Sequence, residues 1–200
     1  MTKEKKNQPK VIMIGGGSHA FVVFHFLQLK EFEIIGYVAP EKTSLSRHVK
    51  YLGNDKNLEK FNHSVEAYHV LAFSYYNLKS KMKFQKFIEA NEKKLNILPP
   101  LIHPTAHLGN NIHVAHGSIA HPGSIINHNT SIGRYCSINS GAIIEHDCVI
   151  GKGCHIAPGA VICGGSVIED YSLIGAGSVV VNNTTIKFGS IVKAGQTVTQ

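Results

Sequence analysis

The sequence predicts two parts, a small α/β unit at the front and behind it a solenoid of short strands stacked on one another. Three observations carry that expectation. From Leu101 to the C-terminus the chain reads as an unbroken six-residue repeat. Ahead of it, residues 10–38 read as strand, glycine turn, helix and strand. Between the two, Pro99-Pro100 interrupts regular structure, because proline lacks the backbone N–H that a helix or a sheet interior needs.

Divided in sixes, the second half runs LIHPTA, HLGNNI, HVAHGS and onward to IVKAGQ, then TVTQ. The second place is Ile, Leu or Val sixteen times in seventeen, with Ala120 the exception, and the sixth place is nearly always Ala, Ser, Thr or Cys. A helix repeats about every 3.6 residues and a half-buried strand every 2, so neither produces this pattern. Each hexad offers one aliphatic side chain, too little to bury alone, and coils must stack to make a core.

In the first half, Lys10–Ile14 (KVIMI) is an apolar run of the buried parallel-strand type. Gly15-Gly16-Gly17-Ser18-His19 follows, then a helical pattern with apolar residues at Ala20, Val23, Phe24 and Leu27, and a second strand at Glu33–Val38. Glycines between strand and helix let backbone N–H groups reach a phosphate at the helix start. GGGSH lacks the full GxGxxG spacing, so a tight turn without a ligand is the competing reading. Within residues 39–64, APEKTSLSRHV reads as a loop and NLEKF as a short helix. A strand at Ala67–Ser74, a helix from about Asn77 to Lys93 and a last strand at Asn96-Ile97-Leu98 complete the unit. The expected boundaries are a flexible tail over 1–9, a Rossmann-like α/β domain over 10–100 and the repeat domain over 101–200.

Composition narrows the classes. No apolar run approaches the ~20 residues of a membrane span, and MTKEKKNQPK lacks the apolar stretch of a signal peptide. A soluble cytoplasmic protein without membrane insertion is expected. The net charge of +7 lies in the front half, where sixteen Lys and Arg face nine acids; residues 101–200 hold four of each. A basic domain attracts anionic ligands, although KSKMKFQKF and NEKKL equally suit a solvated helix face. No nucleic-acid recognition motif accompanies the charge, so no nucleic-acid partner is expected. Cys136, Cys148 and Cys154 stand at the small sixth place, and Cys163 has no CxxC companion; these are structural thiols, with no metal expected.

The hexads resemble those of left-handed parallel β-helices of the acyltransferase kind. In that fold three hexads make one triangular coil, so residues eighteen apart lie one above another. About five coils follow, roughly 25 Å tall at a strand spacing of ~4.8 Å. With the α/β unit and the stretch SGAIIEHDCVIGKGCHIAPGAVICGG, the chain resembles sugar N- or O-acyltransferases of the sialic-acid O-acetyltransferase type, and is similar to the bacillosamine-pathway and perosamine N-acetyltransferases. That resemblance implies a homotrimer with acetyl-CoA as co-substrate in the groove between neighbouring β-helices. It also implies a nucleotide-linked sugar as acceptor.

Acyl transfer from a thioester must deprotonate the nucleophile, stabilise the carbonyl oxygen as it gains charge, and hold both substrates together. His146 is the candidate base, since imidazole titrates near neutral pH. The resemblance matches it to the catalytic histidine of the family and Asp147 to the acidic partner. Eighteen residues on from His146 is Gly164, whose N–H is the candidate oxyanion donor. By the same resemblance His155 lies near the acetyl group and CoA, Asn139 belongs to the cleft, and Ala176 and Ala194 border the pantetheine path. Gly17, Ser18 and His19 match the phosphate-side contacts of the acceptor domain.

Three other functions compete: O-acetyl transfer, a catalytically silent β-helix that binds or scaffolds, and a γ-class carbonic anhydrase zinc site. For the last, His116 and His121 have the five-residue spacing, but the third position, thirty-six before His116, is Ser80. The chain departs from the acyltransferase pattern at three places. Ala39 and Pro40 stand where acidic residues read the base, Ser74-Tyr75-Tyr76 stands where a glycine turn is usual, and the tail ends VKAGQTVTQ rather than in Gly-x-Pro-Ala.

Overall fold

The computed structural model describes residues 8–54, 58 and 66–199. The expected tail over 1–9 and the helix at NLEKF fall largely outside them; of the latter only Leu58 is described, and it is buried. The chain divides into two compact units, Met1–Phe73 with Ile88–Leu98, and Ser74–Phe87 with Pro99–Gln200. The sequence reading had placed Ser74–Phe87 in the front part; it groups with the repeat instead.

In the first unit β1 (Lys10–Ile14) leads through α1 (Ser18–Leu29) to β2 (Glu33–Val38). A 3-10 turn at Ser44–Arg47, β3 (Tyr51–Gly53) and β4 (Tyr68–Leu71) follow. The four strands form one parallel sheet in the order β3-β2-β1-β4. β1 is central, and Val11, Ile12, Met13 and Ile14 are all buried, which is why that strand reads as a continuous apolar run. On α1 the buried residues are Ala20, Val23, Phe26 and Leu27, so Phe26 takes the place expected for Phe24, which is half-buried. The predicted last strand contracts to a single parallel bridge between His69 and Ile97. The 3-10 turn lies within the expected loop, and β3 follows it in a stretch for which the sequence predicts no element. Thr43 caps that turn through its hydroxyl, and the buried Tyr37 hydroxyl accepts from the Thr43 N–H at 2.9 Å.

The second unit is a left-handed β-helix of hexapeptide repeats. Seventeen two-residue strands, from Leu101–Ile102 to Thr197–Val198, occupy the first and second places of every hexad. They stack into three parallel sheets of six, six and five strands. Each pairs with the strand eighteen residues on, as Ser137 with His155 and Ile144 with Ile162. Second-place side chains fill the interior: Ile126, Ile132, Ile144, Ile156, Ile162, Ile168 and Ile174 are 0% exposed. Each such aliphatic contributes about 2 kcal/mol by leaving water.

The sixth place carries a second constraint. From Ser118 to Thr184 its side chain is buried, and a buried hydroxyl must find an acceptor. Thr130 Oγ1 donates to the Glu145 carbonyl (2.9 Å) and Ser166 Oγ to that of Val181 (3.0 Å); the Cys136 thiol donates to Gly151 (2.9 Å). In each case the carbonyl lies fifteen residues on, in the next coil. Cysteine thus does the work of serine there, and all four cysteines are free thiols.

The fifth place turns the chain at positive φ, and its occupants give the three corners different characters. The first corner, after the sheet that begins with Leu101–Ile102, carries Gly123, Gly141, Gly159, Gly177 and Gly195. At the second stand Asn111, Asn129, Asp147, Gly165 and Asn183, and at the third Gly117, Tyr135, Gly153, Tyr171 and Gly189. Asn and Asp tolerate left-handed backbone better than other side chains. They also join hands between coils: Asn111 Nδ2 donates to Asn129 Oδ1 (2.8 Å), and Asn129 Nδ2 to Asp147 Oδ1 (3.1 Å).

The third corner receives Ser74–Phe87. Helix α2 (Leu78–Asn91) starts with a reciprocal cap in which Asn77 Oδ1 accepts from the Ser80 N–H (2.9 Å) and Ser80 Oγ from the Asn77 N–H (3.2 Å). Tyr75 is 2% exposed and its hydroxyl donates to the carbonyls of Gly153 (2.7 Å) and Ser172 (3.0 Å). Lys81 Nζ donates to the Gly189 carbonyl.

Candidate active site

His146 sits at the fourth place of its hexad, on the second corner, with Asp147 next to it at φ 59°. That backbone turn brings the Asp147 carboxylate round to the imidazole, and His146 Nδ1 lies 2.7 Å from Asp147 Oδ2. Nδ1 therefore carries the proton and donates it, which leaves the Nε2 lone pair free to take one. Asp147 is held below the usual carboxylate range, first by the hydrogen bond from His146 and then by that from Asn129. Both side chains are about half exposed, 49% and 53%.

The eighteen-residue column holds as the spacing requires. A Cβ built on Gly164 would stand 2.7 Å from His146 Cε1 and 2.8 Å from Nε2, so the imidazole lies directly against that glycine's backbone. On the opposite side His128 stacks on His146, with ring centroids 5.5 Å apart and planes inclined by 14°. His128, His146 and Asp147 bring one ligand-type atom each within 4.8 Å of one another. Parallel rings point their in-plane lone pairs side by side rather than at one centre, so the arrangement suits a stack better than a chelate. The carbonic-anhydrase reading loses its residues one by one: His121 is 2% exposed with Nε2 3.3 Å from Ser137 Oγ, and Ser80 is spent on the α2 cap.

A second cluster stands on another part of the coil. His155 opens a strand of the first sheet, and its Nε2 lies 3.2 Å from Asn139 Nδ2. Ala176 and Ala194 are exposed at the first corner, one above the other, joined by Gly195 N–H to the Ala176 carbonyl at 2.9 Å. Alongside them Gly141, Gly159, Gly177 and Gly195 have nothing within 4 Å of where a Cβ would be, which leaves this edge open along its length. The chain thus brings His146, Asp147 and Gly164 together at the second corner and His155 to Asn139 on the first sheet, while Ala176 and Ala194 stand one above the other at the first corner. His128, Ser74 and Tyr75 are neighbours of these residues that the sequence does not mark as site residues. The eighteen-residue count pointed to His128, but nothing local in the sequence marked Ser74, whose Oγ lies 2.6 Å from His155 Nδ1.

In the first unit the three glycines have three different reasons. Gly15 has φ 120°, and a Cβ there would meet the Ala72 carbonyl at 2.8 Å. At Gly16 a Cβ would strike the Tyr37 ring at 2.9 Å. Gly17 precedes α1 in extended backbone and has nothing within 4 Å of a Cβ position, so neither turn geometry nor packing calls for glycine there. Ser18 is exposed, and burial holds the His19 imidazole below its ordinary pKa, toward the neutral form. Ala39 is buried, with its carbonyl accepting from the Tyr51 hydroxyl at 3.1 Å.

Residues 129–164 and 147–182 match the bacterial transferase hexapeptide (six repeats) family model. The structure superposes on perosamine N-acetyltransferase from Caulobacter crescentus, solved in complex with CoA and GDP-perosamine. The TM-score is 0.84 and the identity 27%, over 96% of this chain and 89% of that one. The chain is an acyltransferase whose residues 129–182 carry the bacterial transferase hexapeptide repeat. Its fold also matches the acetyltransferase domain of PglB from Neisseria gonorrhoeae (TM-score 0.69, 22% identity, 96% of this chain and 92% of that). WeeI from Acinetobacter baumannii superposes with TM-score 0.58 at 17% identity, over 96% and 97% of the two chains. No curated protein sequence matches the acyltransferase. Among the described residues no helix is long and apolar enough to cross a membrane.

Proposed function

We propose that the acyltransferase moves the acetyl group of acetyl-CoA directly onto the amine of an amino sugar carried on a nucleotide. The observation that carries this reading is the His146–Asp147 pair seated on Gly164, in a chain similar over nearly its full length to an enzyme solved with CoA and GDP-perosamine. His146 Nε2 takes the proton of the attacking amine while Asp147 holds Nδ1–H and offsets the charge of the imidazolium. The amine nitrogen bonds to the thioester carbon, with Gly164 N–H as donor to the oxygen that gains charge. The C–S bond then breaks, and the departing thiolate recovers a proton from His146. His155 and Asn139 place the acyl donor, and its pantetheine arm follows the open glycine edge past Ala176 and Ala194.

The two clusters lie at different places on the repeat, and a homotrimer that brings them together from neighbouring protomers would join them into a complete site. The parallel order β3-β2-β1-β4 with α1 after β1 supports a Rossmann-like acceptor domain within residues 10–100. Gly17, Ser18 and His19 at the start of α1 take the phosphate side, where helix N–H groups favour anions. The reading is tested by CoA release with acetyl-CoA against UDP-, GDP- and CMP-linked and free amino sugars, wild type beside His146→Ala. Turnover with one acceptor, reduced ~10²-fold or more in the variant, is the expected result. Full turnover by His146→Ala removes the base assignment, and failure of acetyl-CoA to raise the melting temperature removes the co-substrate.

A further inference from the structure

The Asn139–His155–Ser74 chain of contacts defines the state of His155. Asn139 Nδ2 donates to the Ile156 carbonyl at 2.9 Å; turned over, the amide would set its oxygen against that carbonyl oxygen. The other N–H of that amide is turned toward His155 Nε2, 3.2 Å away, and Ser137 Oγ, 3.3 Å away, so Asn139 offers Nε2 a donor and no acceptor. A ring nitrogen that accepts cannot itself bear a proton, so the neutral imidazole carries its proton on Nδ1. Ser74 Oγ, 2.6 Å from Nδ1, is then the acceptor.

Ser74 is itself held in place. Its neighbour Tyr75 is buried, and the Tyr75 hydroxyl bonds the Gly153 and Ser172 carbonyls. The Ser172 carbonyl also accepts the backbone N–H of His155 at 2.9 Å. The Tyr75 ring lies 5.5 Å from the His155 ring.

We propose that Ser74 is a positioning residue for His155, locking its imidazole together with Asn139 as the neutral Nδ1–H tautomer. The lock has two chemical consequences. Ser74 is not an activated nucleophile, despite its short contact with a histidine, because the proton on Nδ1 points at its oxygen. His155 also has no N–H to give on its Nε2 side, where Asn139 Nδ2 already faces the lone pair, so the ring borders the acyl donor as a fixed wall and not as a hydrogen-bond donor to its carbonyl.

The tautomer is read directly from long-range ¹H–¹⁵N NMR spectra of the histidine-labelled full chain, with His155→Gln identifying the signal. Wild type is expected to show Nδ1 protonated and Nε2 bare. Ser74→Ala is expected to show a mixture of tautomers, and Ser74→Thr to restore one. In kinetics Ser74→Ala is expected to raise KM for acetyl-CoA about fivefold, the size of one hydrogen bond, with kcat changed less than KM and with rescue by Ser74→Thr. An Nε2–H tautomer in wild type overturns the proposal, as does a Ser74→Ala protein with both tautomer and KM unchanged. The kinetic arm rests on the acetyl-transfer reading, whereas the spectra need no turnover, so failure of one is distinguishable from failure of the other.

Discussion

Gly164→Ala tests whether the column beside His146 positions a catalytic base. The new Cβ would lie 2.7 Å from His146 Cε1, 2.8 Å from Nε2 and 3.2 Å from Nδ1. Nonbonded carbon atoms settle at about 3.5–4.0 Å, so the ring must retreat by roughly 1 Å. Gly164 is not among the glycines at positive φ, so alanine adds no backbone strain. His146 is half exposed and free to swing outward, which keeps the cost in stability within about 1 kcal/mol. The cost to catalysis is larger, because misplacing a reacting group by about 1 Å lowers the rate roughly 10²-fold. Alanine keeps its backbone N–H, so any donor role at this position survives and the loss reports on the imidazole. The assay is steady-state CoA release, wild type beside Gly164→Ala, with thermal melting as the control. Turnover within threefold of wild type in a folded variant would refute the reasoning.

Two further perturbations reach other parts of the argument. Asp147→Asn should keep the turn, since Asn129 adopts φ 57° at the equivalent place one coil earlier, yet lower turnover at least tenfold by removing the charge that supports an imidazolium. Because the folded carboxyl sits below its unfolded pKa, its stabilisation is present above the ordinary carboxylate range and lost as pH falls through the folded value. Melting curves of wild type and variant should therefore differ near neutrality and converge in acid; a gap that widens in acid would contradict the sign. Ile162→Ala empties a fully buried second place and should cost about 2–5 kcal/mol. At about 2–4 °C per kcal/mol the melting temperature should fall roughly 5–15 °C, and a drop under about 2 °C would mean that the coils do not share one core.

Much of the repeat was legible because its rules are local and periodic. Strands fall on the first two places of each hexad, and the eighteen-residue step that set Gly164 beside His146 is a property of the coil. Cys136, Cys148 and Cys154 explained themselves by sharing a place with serine and threonine. The front unit was less transparent. Tyr51–Gly53 is three residues long and owes its strand character to pairing with β2, which no window of sequence contains. Phe24 and Phe26 are equally apolar, and only the direction in which α1 faces the sheet buries Phe26. Ser74 stood out as a departure from the acyltransferase pattern, but its contact with His155 spans eighty-one residues of sequence.

By itself the sequence determined that the second half stacks in coils and that Cys136, Cys148 and Cys154 are small interior residues, and the resemblance to left-handed β-helices supplied the three-hexad coil that sets His146 in a column with Gly164. Period and side-chain volume suffice for the first two conclusions, because every coil repeats the same burial problem. Only the tertiary structure decided how each corner of the coil is furnished. It set the open glycine edge at the first corner, the Asn–Asp ladder under His146, Tyr75 against the third corner, and Ser74 against His155. Those features arise from groups eighteen residues apart and, for Ser74 and Tyr75, from seventy-eight to ninety-seven residues apart, whose meeting depends on where the coil turns and not on what adjoins them in the chain.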